Sequence, residues 1–240
     1  MKKFAMPLLF IVLLGISVAI YMYLVPDLVK RGGPLVVGLI FMAMLSIAFV
    51  IERTLTLRKA QGNSTLPVFI TAVKRELMKG DVNKAMALCD QQRGSAANVL
   101  KAGLYRYKQM IDEKAPREKI VSETQQAIQE ANALEVPLLE RNLVALSTIA
   151  SICTMWGLLG TVIGMIRCFA AAASVGTVDA TELAKGISEA LINTAGGLFI
   201  AIFSIVLYNV FTTRVDNFSY MMDEASYETL QLLTSHTYDN

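Results

Sequence analysis

Five residues of this chain sit in apolar runs where an ordinary membrane-crossing helix would avoid them. Arg167 and Thr161 lie within 156–169, WGLLGTVIGMIRCF, and Glu189, Asn193 and Thr194 lie within 186–209, GISEALINTAGGLFIAIFSIVLYN. A charge inside a membrane span costs at least about 2.5–3.5 kcal/mol on insertion scales and by default marks an ion pathway or a paired functional site. The chemistry available to this set is proton exchange at a carboxylate and ion pairing with a guanidinium. Threonine hydroxyls can both donate and accept, so they can order a water chain without holding a fixed charge.

The two runs are joined by about a dozen residues, which permits an argument about depth. With the turn centred near residue 178, Thr161 and Thr194 lie 17 and 16 residues from it, and Arg167 and Glu189 lie 11 each. The threonines then share a level near the bilayer middle. The charged pair shares another, about 8–9 Å of helical rise away. Gly157, Gly160, Thr161, Gly164, Arg167 and Cys168 form one stripe at helical spacing, and Glu189, Asn193, Gly196 and Gly197 form a second, with Thr194 alongside. Each feature also has a packing reading. Gly-xxx-Gly stripes bring helices close, intramembrane threonines bond their own i−4 carbonyl, and Arg167 with Glu189 can be a structural ion pair. Two matched polar levels on one hairpin favour a polar path.

The elements that must position these residues follow from composition. The chain has 240 residues, 54% hydrophobic and 18% charged, with mean hydropathy +0.49. That is too apolar for a soluble domain, and the charge is concentrated in residues 52–141. Four stretches, about 5–25, 34–51, 143–172 and 187–211, reach the roughly 20 residues that span about 30 Å of hydrocarbon. The first is too long for a signal-peptide core and lacks a small-x-small cleavage site, so it reads as a retained helix. If it instead lay flat on the outer surface, three spans would remain. Arg53, Arg58, Lys59, Arg141 and Arg214 flank the spans on the side that the positive-inside rule makes cytoplasmic, and the turn at 173–184 faces outward. Lys30 and Arg31, in the short outer loop, run against that rule. The expectation is an all-α membrane protein with three or four transmembrane helices, a cytoplasmic helical bundle, and long helices extending from the membrane.

The organisation expected is an extra N-terminal apolar helix and outer loop (1–33), a span (34–51), a cytoplasmic helical domain (52–142), a pore-forming hairpin (143–211) and a cytoplasmic C-terminal tail (212–240). Within 64–93 the helical period breaks at Gly80-Asp81, with Asp81 a natural N-cap for the next helix. A periodic run from about 116 continues through Pro137 into the third span with no other strong breaker. Cys89, Cys153 and Cys168 are widely spaced and read as small buried hydrophobes. One histidine, at 236, and no Gly-rich phosphate loop argue against a catalytic triad, a His-based metal site and nucleotide chemistry. No catalytic residue, metal, cofactor or nucleic-acid partner is expected.

The stretches LLGTVIGMIRCF and GISEALINTAGGLFIAIFSIVLYN resemble the MotA/TolQ/ExbB family of bacterial ion-channel motor subunits, most of all ExbB and TolQ. FVIERTLTLRKA at 49–60 is similar to the family's exit from its first conserved span. The resemblance implies a homopentamer in the bacterial inner membrane, multi-pass in the lipid bilayer, enclosing the helices of an ExbD- or TolR-like one-span partner dimer. That assembly converts protonmotive force into motion coupled through a TonB-like protein. It also implies that Glu189 is the pore-associated glutamate and that Thr161 and Thr194 are the pore-lining threonines. The chain departs from the family pattern in three places. Ser-Ile-Cys-Thr-Met-Trp stands where a Pro often precedes the GLFGT-like motif. Phe203 occupies a common Pro position. Arg167 is a cation where a polar residue is usual.

Overall fold

The computed structural model describes residues 2–175 and 180–239. The described residues form nine helices: α1 (Lys2–Tyr23), α2 (Asp27–Lys30), α3 (Leu35–Gln61), α4 (Leu66–Met78), α5 (Val82–Gln92), α6 (Ser95–Asp112), α7 (Arg117–Glu140), α8 (Leu143–Val175) and α9 (Ala180–Asp239). Among them three helical stretches, within Leu35–Met78, Arg117–Ala170 and Ala180–Ser235, are long and apolar enough to cross a bilayer. The described apolar part of α1, Ile11–Tyr23, is shorter. The centre of the expected outer turn, residues 176–179 with Asp179, lies outside the described residues. The flanking helices nonetheless run further than the sequence suggested. The small, helix-favouring residues Ala170–Ala173 carry α8 to Val175, and α9 begins at Ala180.

The chain divides into two compact units, residues 1–52 with 142–210 and residues 53–141 with 211–240. In the first, α3, α8 and α9 pack around Leu39, Leu45, Ile149, Cys153, Ile200 and Ala201, with Leu13 of α1 against the same cluster. Apolar residues at helical spacing make these contacts, and polar side chains pin them. Ser46 and Ser204 share a buried hydrogen bond of 2.8 Å between α3 and α9. The Trp156 indole N–H donates to the Leu35 carbonyl at 3.0 Å. Gly38 leaves the space the indole fills, since a Cβ there would lie 2.6 Å from a ring carbon.

In the second unit, α4–α7 and the C-terminal half of α9 bury Leu77, Leu100, Leu104, Val215 and Met222. Gly80, at φ +79°, closes the α4–α5 turn, and Asp81 caps α5, its carboxylate accepting from the Lys84 N–H at 2.9 Å. Hydrogen bonding from the Lys84 ammonium and backbone holds the Asp81 carboxyl below the usual aspartate range. Arg106 of α6 pairs with Glu123 of α7, and Lys74 of α4 with Glu228 of α9. Residues 212–239 are helical: with no Gly or Pro after Gly197 to stop it, α9 runs 60 residues from Ala180 to Asp239.

The periodic run from 116 is broken. α7 passes through Pro137 and ends at Glu140, Asn142 takes a left-handed conformation (φ +64°), and α8 starts at Leu143. In an unbroken helix the Leu139 carbonyl would accept from residue 143. Here it accepts from Arg53 Nη1 at 3.0 Å, and Arg53 is 1% exposed. A guanidinium thus takes over the carbonyl that the break leaves unserved. Asn142, of a type that tolerates the left-handed region, donates to Glu52 at 3.4 Å.

Candidate functional site

The seam between α8 and α9 is built on glycine. A Cβ on Gly157 would meet the Asn193 carbonyl oxygen at 3.1 Å and Thr194 Cα at 3.2 Å, and one on Gly164 would meet Ala190 Cβ and the Gly186 carbonyl oxygen, both at 3.0 Å. Asn193 Cβ is seated against Gly160, and Gly197 faces Cys153 and Gly157. Gly196 faces the other way, toward Leu39 of α3. The seam also uses Gly186, which lies outside both stripes and packs against Cys168.

This interlock sets the register. Thr194 lies level with Gly157 and donates to its carbonyl at 3.1 Å, whereas Thr161, four residues further along α8, donates to the carbonyl of Leu158 at 2.7 Å. The two threonines are therefore staggered by about 6 Å of helical rise and do not share one level. One makes a bond between helices and the other a bond within its own helix. Counting from an assumed turn centre could not capture this, because the glycine contacts decide how the backbones mesh.

Arg167 and Glu189 are brought together. Arg167 Nη1 donates to Glu189 Oε1 at 2.7 Å, with the guanidinium side chain 55% exposed and the carboxylate side chain 16% exposed. The carboxylate is therefore the sheltered member, and its shelter comes from an element that the motifs did not indicate. Gly33, at φ +70° in the turn before α3, lies so close that a Cβ would stand 2.5 Å from Glu189 Oε1. Next to it, Gly32 offers its carbonyl to Asn193 Nδ2 at 2.7 Å, and the same amide donates to the Glu189 carbonyl at 2.9 Å. Asn193 is fully buried, and its Oδ1 has no partner among the described residues. An acceptor in that state is available to a donor that reaches the seam. Beside Glu189 a cleft of about 570 Å³ opens, lined by Arg31, Thr181, Lys185 and Ser188.

The site thus places one sheltered carboxylate, a cation on one of its oxygens, a buried amide with a spare acceptor and a threonine hydroxyl along one glycine-lined seam. Such a row can pass a proton by hydrogen-bond exchange, or it can hold three helices together. The missing signal in the sequence was Gly32-Gly33, a tight-turn pair after the outer basic residues.

Three long apolar helices, packed through a glycine-lined seam that carries polar groups, define a multi-pass helical membrane protein. The pattern of the MotA/TolQ/ExbB proton channel family matches residues 91–224, more than half of the chain. The chain belongs to that family. It is 29% identical over 194 residues to a putative biopolymer transport protein ExbB homolog of Methanothermobacter thermautotrophicus, covering 80% of this chain and 64% of the relative. It is 30% identical over 186 residues to the Tol-Pal system protein TolQ of Haemophilus influenzae, covering 75% of this chain and 79% of that protein. Against the biopolymer transport protein ExbB of Salmonella typhimurium it is 36% identical over 87 residues, 36% of each chain. The chain thus spans less than two thirds of the length of the archaeal and Salmonella proteins.

Proposed function

We propose that this chain is an ExbB-like subunit of an inner-membrane, proton-driven motor. It forms a homopentameric scaffold around the helices of an ExbD-type partner dimer and, through a TonB-like protein, energises transport across the outer membrane. The observation that carries the reading is the sheltered Glu189, bonded to Arg167 at 2.7 Å beside the buried Asn193, within the stretch that the family pattern covers. In this reading Glu189 takes up a proton when Arg167 is displaced, and Asn193 Oδ1 holds a water that extends the path. Thr194 and, a turn away, Thr161 relay toward the partner. The glycines Gly157, Gly160, Gly164, Gly196 and Gly197 keep the wall thin. Each elementary charge that crosses gains about 2.3 kcal/mol per 100 mV, which is the energy available for motion. A TolQ-like role in the same class is favoured by the alignment to the Haemophilus protein, which takes in 75% of this chain.

Proton flux into liposomes holding the chain and its one-span partner tests the reading. Flux should depend on the partner and fall in Glu189→Gln and Thr194→Val. Flux that is absent in the wild type, or unchanged in both variants, would make the chain a non-conducting scaffold. The oligomer that native mass spectrometry records in mild detergent tests the pentamer, which a monomer or dimer would overturn.

A further inference from the structure

A cavity lies in the second unit, where the turns at 79–81 and 113–116 come together. It encloses about 620 Å³, within the range of pockets that hold ligands, and its floor is apolar: Leu77, Tyr107, Ile120 and Leu233 are buried, and Ile111 is 43% exposed at the mouth. A second cleft of about 380 Å³ continues it, sharing Gly80, Val82, Tyr107 and Ile111. The rim carries Lys114 and Arg117 on the first cleft and Lys79 and Lys108 on the second. Lys114 and Arg117 have no ion-pair partner among the described residues, whereas the one acidic lining residue, Asp81, is already bonded to Lys84. The 24-residue α7 begins at this rim behind Pro116, with no side chain capping its first N–H groups.

Lys79 is paired with Glu76 and Lys108 bonded to Asn83, so the rim's uncompensated charge among the described residues is that of Lys114 and Arg117. An apolar floor beneath two such cations selects an occupant of matching pattern. A basic or neutral segment would fill the floor and leave the rim repelled or unanswered. An acidic segment with one or two large apolar side chains meets both demands, because rim charges steer and orient while the buried anchor supplies contact area. We propose that this cavity is a docking pocket for a short acidic peptide segment of a partner protein, its apolar anchor on the Leu77–Tyr107–Ile120 floor and its carboxylates toward Lys114 and Arg117. The proposal is independent of the proton pathway and holds or fails without it.

The test uses the full chain in detergent and three fluorescein-labelled dodecapeptides sharing the same Leu and Phe positions, with four Glu, four Gln or four Lys elsewhere. The Glu peptide should bind about tenfold tighter than the Gln peptide by fluorescence anisotropy, and the Lys peptide weakest. Double reversal, Lys114→Glu with Arg117→Glu, should invert the order of the Glu and Lys peptides. Ile111→Asp, at a position 43% exposed, should weaken the Glu peptide, with helicity by circular dichroism unchanged in both variants. Equal binding of the three peptides, no binding of the Glu peptide, or an order that survives the double reversal would each overturn the proposal. So would competition by phosphatidylglycerol vesicles as strong as that by unlabelled Glu peptide, since the pocket would then read an anionic surface.

Discussion

Replacing Gly33 with Ala tests whether the N-terminal turn is part of the Glu189 site. Gly33 has φ +70°, and a left-handed alanine costs about 1 kcal/mol or slightly more relative to glycine. The added Cβ would also stand 2.5 Å from Glu189 Oε1, the atom that accepts from Arg167. The carboxylate sits at the end of a flexible side chain, so it can move away, and the cost of moving is the bond it gives up. A hydrogen bond to a charged group is worth about 1.5–3 kcal/mol. With the guanidinium half exposed, the lower part of that range applies. Gly33→Ala should therefore destabilise the folded chain by about 2.5–3 kcal/mol, followed by unfolding in a fixed detergent. In the Arg167→Asn background there is no pair left to lose, and the same substitution should cost only about 1 kcal/mol, a coupling of about 1.5–2 kcal/mol. Costs that add within about 0.5 kcal/mol would show that the turn does not hold the pair, and the site as described would be wrong.

Ser46→Ala and Ser204→Ala should each destabilise by about 0.6 kcal/mol and show coupling of similar size in a double-mutant cycle, the usual worth of a hydrogen bond between membrane helices. Hydrogen bonding from Arg106 holds the Glu123 carboxyl below its ordinary value of 4.5. A depressed folded-state value contributes stability that is present above the unfolded value and is lost as pH falls through the folded one. Glu123→Gln should therefore melt below the wild type at neutral pH, and the two melting curves should converge well below pH 4.5. Burial pushes the Cys89 thiol up to about 12, so iodoacetamide at neutral pH should leave it unmodified in the folded chain and alkylate it on unfolding, as mass mapping would record.

The helical class was legible because no stretch alternates with the period of a strand and the polar residues fall on helical stripes. The encounter of Arg167 with Glu189 was legible because a hairpin fixes approximate depth. The threonine stagger was not, since the register depends on which glycine receives which backbone, as at Gly157 and Gly160. Gly196 joined a stripe by spacing yet turns to α3, a choice made by the third helix in contact. The break at Arg141–Asn142 was hidden because Pro137, the visible breaker, is tolerated. At the interruption the freed Leu139 carbonyl is taken by Arg53, about ninety residues away in sequence. Gly32-Gly33 looked like an ordinary loop pair because nothing local announces that a carboxylate will lie against it.

The bond between Arg167 and Glu189 also bears on how the chain enters its membrane. A helix leaving the translocon alone with Arg167 inside it carries a penalty of up to about 2.5–3.5 kcal/mol, the value for a charge at the helix centre, and one with Glu189 carries a charge penalty of the same kind. α8 ends at Val175 and α9 begins at Ala180, so the two charges are made within moments of each other on helices that fold back together. As a hairpin they enter hydrocarbon as a neutral dipole, with the guanidinium already spoken for. Concerted insertion of α8 and α9 is therefore the expectation for this segment. A ribosome stalled before residue 189 would hold α8 with an uncompensated charge, less firmly inserted than its apolar length suggests.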